Sequence, residues 1–251
     1  MKNLIVVLAV LAMASIFSVP AMAQEEGGER MFSFGFETGA YSKYVDELSG
    51  YRILDEPVVT AFAEINHGSG AYLAVEGYKS LNGEDYDEVN LYVGFSSEAW
   101  GSLWEVGYAY YQEYELHGIY ASTQLTRFEF WGFTPFVDVE VDIPDNDEAG
   151  DGGFLYRVGL LTSVPVFEQE IDLSFSVAGH DGAWGTRSEL VSSAKIAAST
   201  TITLVEEVAE IVPEVSYQKR LGYAPAGEED ESAGGMTNNE FWMGAKVVFY
   251  F

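Results

Sequence analysis

From Glu240 to Phe251 the chain alternates without a slip. Phe241, Met243, Ala245, Val247, Phe249 and Phe251 fall on one side of an extended backbone. Glu240, Trp242, Gly244, Lys246, Val248 and Tyr250 fall on the other. A period of two places alternate side chains on opposite faces of a strand and builds no helical stripe. The run is also the length a tilted strand needs to cross a bilayer. The same alternation recurs in Phe32/Phe34/Phe36, Ala71/Leu73/Val75, Val89/Leu91/Val93/Phe95, Val137/Val139/Val141 and Ile171/Leu173/Phe175/Val177. One face is apolar throughout, while the other mixes acids, hydroxyls, Gly and Tyr.

About twelve strand-like segments result, near 31–44, 55–66, 70–79, 86–97, 102–112, 116–127, 133–142, 153–164, 169–180, 187–201, 207–219 and 238–251. Every second connection is short, and the others are mostly longer and acidic or Gly-rich, the one near Glu113 excepted. Leu204, Val205, Val208, Ile211 and Val212 also fit a helical face, but Pro213 opposes a long helix, so a strand is expected there. A soluble sandwich alternates too, yet has no reason to sort its loops by length. An up-and-down transmembrane barrel with short periplasmic turns and longer outer loops does. Aromatic clusters (Trp100/Trp104, Tyr108/Tyr110/Tyr111, Phe128/Phe130/Trp131/Phe133) stand near strand ends, as two interfacial girdles would.

Charge and composition narrow the rest. Forty acids against twelve bases give a net charge of −28, which excludes a phosphate-neutralising nucleic-acid binder. No cysteine means no disulfide, no thiolate nucleophile and no sulfur-based zinc site. Residues 1–23 read as a cleaved secretory signal. Lys2 precedes an uncharged apolar run, and Ala21-Met22-Ala23 gives a small-x-small end. Residues 24–30 then form a short polar segment, and 31–251 the barrel.

A signal segment, strands of about ten residues and a chain end at Phe249-Tyr250-Phe251 resemble a bacterial outer-membrane β-barrel of the small porin or channel type. The resemblance implies export through the periplasm to the outer membrane, lipid around the wall, and assembly machinery that reads the terminal aromatics. Ser42-Lys43-Tyr44-Val45 also resembles uncharacterised proteobacterial small barrels. Those continue with an aromatic and Arg-Gly where Asp46-Glu47 stands here, so no functional residue is transferred.

With the apolar face outward, the lumen is expected to carry Glu37, Glu64, Glu76, Glu105, Asp138, Glu140, Asp142, Asp172, Glu189, Glu210, Glu214 and Glu240. Lys43, Arg157, Lys195 and Lys246 face the same way, to brace the wall by cross-pairing. So many carboxylates require a wet interior, whose field favours cations. Tyr41, Tyr72, Tyr78, Tyr92 and Tyr111 are candidates for stacking sugar or nucleoside rings, or else volume fillers with wet hydroxyls. The Asp138/Glu140/Asp142 ladder lacks convergent ligands and reads as field. Asp145–Glu148 and Glu228–Glu231 lack the spacing of a calcium loop and are expected to bridge divalent cations loosely at most. No cofactor, metal centre or catalytic residue is expected, since His67, His117 and His180 are scattered. The function expected is a narrow, water-filled, cation-preferring passive channel. A non-conducting surface barrel and a soluble secreted ligand-binding sandwich are the alternatives.

Overall fold

The computed structural model describes residues 31–251 except 46–47, 49–51, 83–86, 129, 145–151, 182–188 and 222–238. The signal segment, the segment 24–30 and the two acidic loops therefore lie outside the described residues. The strands are β1 (Phe32–Tyr41), β2 (Tyr44–Val45), β3 (Arg52–Leu54), β4 (Val58–His67), β5 (Ala71–Ser80), β6 (Asp87–Ala99), β7 (Ser102–Tyr111) and β8 (Leu116–Gln124). They continue as β9 (Thr134–Pro144), β10 (Gly153–Val166), β11 (Gln169–Asp181), β12 (Glu189–Ser199), β13 (Ile202–Val205), β14 (Ala209–Arg220) and β15 (Asn239–Tyr250).

Apart from the small β2–β3 pair, neighbours in sequence are neighbours in the wall and all pair antiparallel. β15 closes on β1, and β14 pairs with β12. β12 and β13 are one strand in two pieces. Ser199 faces Glu214, and Ile202 faces Ile211 in unchanged register. The break at Thr200–Thr201 lies opposite Pro213, which has no N–H to give the ladder. The wall is thus a closed twelve-strand antiparallel barrel, as the alternation requires. The ambiguous stretch 201–219 is a β-hairpin, and its turn sits at Glu206–Val208 instead of Thr201–Glu206.

Following the registers once round returns a β1 residue about 16 positions along its own strand, which for twelve strands means a tilt of about 40°. At that tilt about ten residues cross a ~25 Å apolar band. The shortest uninterrupted wall strand, β8, has 9 residues and the longest, β10, has 14. Outside, Leu73, Leu91, Val93, Phe95, Val106, Ile119, Val141, Val158, Phe241 and Met243 are exposed, far more apolar surface than water tolerates on one face. Trp100 meets Trp104 edge-on, and Phe130 stacks on Trp131, at the turn end of the wall.

The turns explain that register. Trp100 and Gly101 have φ of 55° and 68°, and Trp131 and Gly132 have 52° and 79°. Two left-handed residues in a row match the twist of the flanking strands. A Cβ on Gly101 would also stand 2.8 Å from Arg127 Cβ. Gly101→Val should therefore cost about 1–3 kcal/mol, read as a lower urea midpoint of the refolded barrel in micelles.

Candidate functional site

Because Cβ direction alternates, every second residue of each strand projects inward, and register decides which of them meet. The two halves of the lumen differ. Along β4–β9 the inner positions carry Tyr72, Tyr78, Tyr92, Tyr111 and Tyr120 with Glu64, Glu76, Glu105 and Glu140. They surround a chamber of about 650 Å³. Along β11 and β12 many inner residues are small, among them Ser174, Ser176, Ala197 and Ser199. A second chamber of about 730 Å³ lies there, bordered by Asp172, Lys195 and Glu214. Asp138 and Arg157 line both chambers.

In the first chamber the tyrosine hydroxyls serve the carboxylates. Tyr92 donates to Glu76 at 2.7 Å and Tyr111 to Glu140 at 2.6 Å. Tyr72 donates to Glu105 and meets the Tyr120 hydroxyl. These donors hold the acids in place, since a carboxylate needs hydrogen-bond donors when partly desolvated. Glycine makes room for the rings. A Cβ on Gly94 would press on Tyr72, and one on Gly107 on Tyr120. The hydroxyl end of each ring therefore passes close over the backbone of a neighbouring strand.

Each of the four inner bases stands beside an acid. Lys246 pairs with Glu37 at 2.8 Å, and Arg157 Nε donates to Asp138 at 2.8 Å while its guanidinium lies 5.3 Å from the Phe136 ring. Lys195 stands 4.0 Å from Glu214 and over Trp242 at 5.1 Å. Lys43 bridges Asp55 and Glu240, at 2.8 Å each. Partial burial lowers the Lys43 pKa, but its bonds to Asp55 and Glu240 outweigh this and leave it raised.

Lys43 also anchors a departure from expectation. The first outer connection is one of the longer acidic or Gly-rich gaps by sequence, yet Val45 and Leu54 are buried and Tyr44 stacks on Tyr78 at 4.3 Å. β2 pairs with β3, and Leu48 and Ile53 line a small cavity of about 50 Å³ with Leu116, Leu155, Glu88 and Asp142. The loop folds into the mouth because its apolar residues find apolar partners there and its lysine finds two acids.

Of the remaining inner residues, Glu189 pairs with Arg220 at 3.2 Å, and Glu210 accepts from Tyr250 at 3.0 Å. Tyr41 packs over Gly244, away from the tyrosine chamber. Phe249 stacks with Phe251, whose N–H donates to Phe34 and ties the chain end into β1. Sequence reasoning passed over Tyr44, Tyr120, Phe136, Arg220 and Trp242. His67 sits with Ser69 at an exposed turn, His117 against Tyr108 and Tyr110, and His180 is buried. Among the described residues no three His, Asp or Glu are grouped to hold a metal ion.

No protein-family model and no curated protein matches the chain. Similar solved structures include the KdgM porin, at TM-score 0.53 and 5% identity over 87% of this chain and 99% of that one. A KdgM porin in complex with disordered oligogalacturonate gives TM-score 0.51 at 5% identity over 87% and 99%. The NanC porin in a rhombohedral crystal form gives 0.50 at 9% identity over 86% and 98%. Identity this low speaks for fold alone, and that fold agrees with the closed wall and its apolar exterior. The chain has the fold of these porins, a single closed antiparallel β-barrel of twelve strands.

Proposed function

We propose that the protein is a passive channel that admits small solutes and prefers cations. The observation that carries this reading is the balance of charge facing the two chambers. Glu64, Glu76, Glu105, Asp138 and Glu140 line the first, and Arg157, the base beside them, is paired. Glu64, Glu76 and Glu105 have no base within ion-pair distance among the described residues, and Glu76, Glu105 and Glu140 accept from tyrosine hydroxyls, which add no countercharge. A wall with that field raises the local concentration of cations and repels anions. The oligogalacturonate in the KdgM complex is a polyanion, so this lumen should exclude it.

Reversal potentials in planar bilayers under a KCl gradient test the reading. The barrel should select K⁺ over Cl⁻, and the Glu76→Gln, Glu105→Gln, Glu140→Gln triple variant should lower the permeability ratio by about threefold or more. Anion selectivity would overturn it. Electrical silence would instead favour a non-conducting surface barrel, a reading supported by the inward-folded first loop. Catalysis has no part in the proposal. Phe249, Tyr250 and Phe251 are proposed as the assembly signal, and outer-membrane lipid as the partner of the apolar wall.

A further inference from the structure

We infer that the tyrosine-lined chamber is a binding site for a compact organic ammonium ion, one whose charge is carried on alkyl groups. The inference deepens the cation-preferring reading and rests on its sign of charge. The chamber, at about 650 Å³, is of the size that encloses small organic ligands and far exceeds what a bare inorganic cation fills.

Ring orientation decides between ligand shapes. Tyr92 meets Tyr111 and Tyr120 with centroids 6.3 Å apart in each pair, and the planes cross at 85° and 76°. Tyr72 and Tyr120 reach over the backbone at Gly94 and Gly107 with their hydroxyl ends, and both rings border the chamber. Perpendicular faces form a corner. A flat sugar or nucleoside ring stacks on one such face only, whereas a rounded alkylammonium touches several, each through the negative face of the ring.

Hydrogen bonding points the same way. The hydroxyls of Tyr72, Tyr92 and Tyr111 already donate to Glu105, Glu76 and Glu140, and Arg157 is bound to Asp138. The chamber therefore presents ring faces and carboxylate charge and few unused donors. A polyol such as a sugar would find little to satisfy its oxygens. An alkylated ammonium has no acceptor to satisfy. The carboxylates behind the ring edges supply attraction that a neutral molecule of the same shape does not feel.

Calorimetric titration of the refolded full-length barrel in detergent micelles tests the site, with choline and its neutral isostere 3,3-dimethylbutan-1-ol as probes. Choline should bind about tenfold or more tightly than the isostere. Tyr72→Leu and Tyr120→Leu should each weaken choline binding by about fivefold or more, whereas Tyr72→Phe, which keeps the ring, stays within about threefold. Heat-modifiable gel migration confirms that each variant is folded. Equal binding of choline and isostere, absence of choline binding, or full choline affinity in both leucine variants would overturn the inference. The wild-type comparison stands even if a variant fails to fold. The bilayer measurement separates the two claims. K⁺ selectivity without choline binding sinks this site alone, and choline binding in an anion-selective barrel sinks the channel reading alone.

Discussion

A chain in which Tyr41 is joined to Val58 by a two-residue Asn-Gly turn, with the intervening loop removed, should conduct at least about twice as well as the intact barrel in single-channel recordings. Tyr41 and Val58 are cross-strand partners, so a tight hairpin closes the gap without moving β1 or β4. The removed segment contributes Tyr44, Val45, Leu48 and Ile53 to the outer mouth, beside Tyr78, Leu116 and Leu155. Its loss opens that cross-section. Lys43→Met is the milder form, since it unties the loop from Glu240 and leaves the apolar contacts. It should give a noisier channel of intermediate conductance. The pH behaviour follows from the sign of the Lys43 shift. A raised lysine pKa means the clamp is fully formed below the ordinary value of 10.5 and is lost only as pH rises through the higher folded value. Conductance should thus be flat from about pH 6 to about pH 9 with respect to this loop, and a step inside that range would assign the clamp to another group. Unchanged conductance in the loopless chain would show that the constriction lies deeper.

Alternation made most of the wall legible. A strand that faces a bilayer on one side has to be apolar at every second position, so Phe241 to Phe251 and Val89 to Phe95 announce themselves. The turns are legible too, because Trp100-Gly101 sits between two alternating runs. The interior is less constrained. Acids such as Glu76 and Glu105 stand out by charge, and counting by two from them reaches the inner face. Tyr120 escaped because its own strand offers Leu116, Gly118 and Ser122 as inner neighbours, with no charge to fix the parity. Its partnership with Tyr72 is made across strands and appears only with the register. The inward loop was hidden for another reason. Val45, Leu48, Ile53 and Leu54 are apolar, but β2 and β3 are 2 and 3 residues long, too short for a period, and acids separate them. The break in β12–β13 reads from sequence only after β14 is aligned, since Pro213 acts on the strand opposite its own.

Opposite shifts in ion selectivity are expected from the two halves of the Arg157–Asp138 pair. The two side chains are cross-strand neighbours, and Arg157 faces Ala178 on its other side. The guanidinium has no bulky competitor toward β11 and lies toward β9, held by the carboxylate and the Phe136 ring. Both residues border both chambers, so their combined charge acts where the two volumes meet. Arg157→Gln leaves Asp138 without its countercharge, and the permeability ratio for K⁺ over Cl⁻ should rise by about threefold. Asp138→Asn leaves the guanidinium charge uncompensated, and the ratio should fall by a similar factor, about threefold. The double variant removes a neutral pair and should return close to the wild-type ratio. That return is what separates a local field at the junction from a change in pore width. A wider pore would weaken selection in either single variant and weaken it further in the double. Shifts of the same sign in the two single variants would therefore remove Arg157 and Asp138 from the selectivity of the channel.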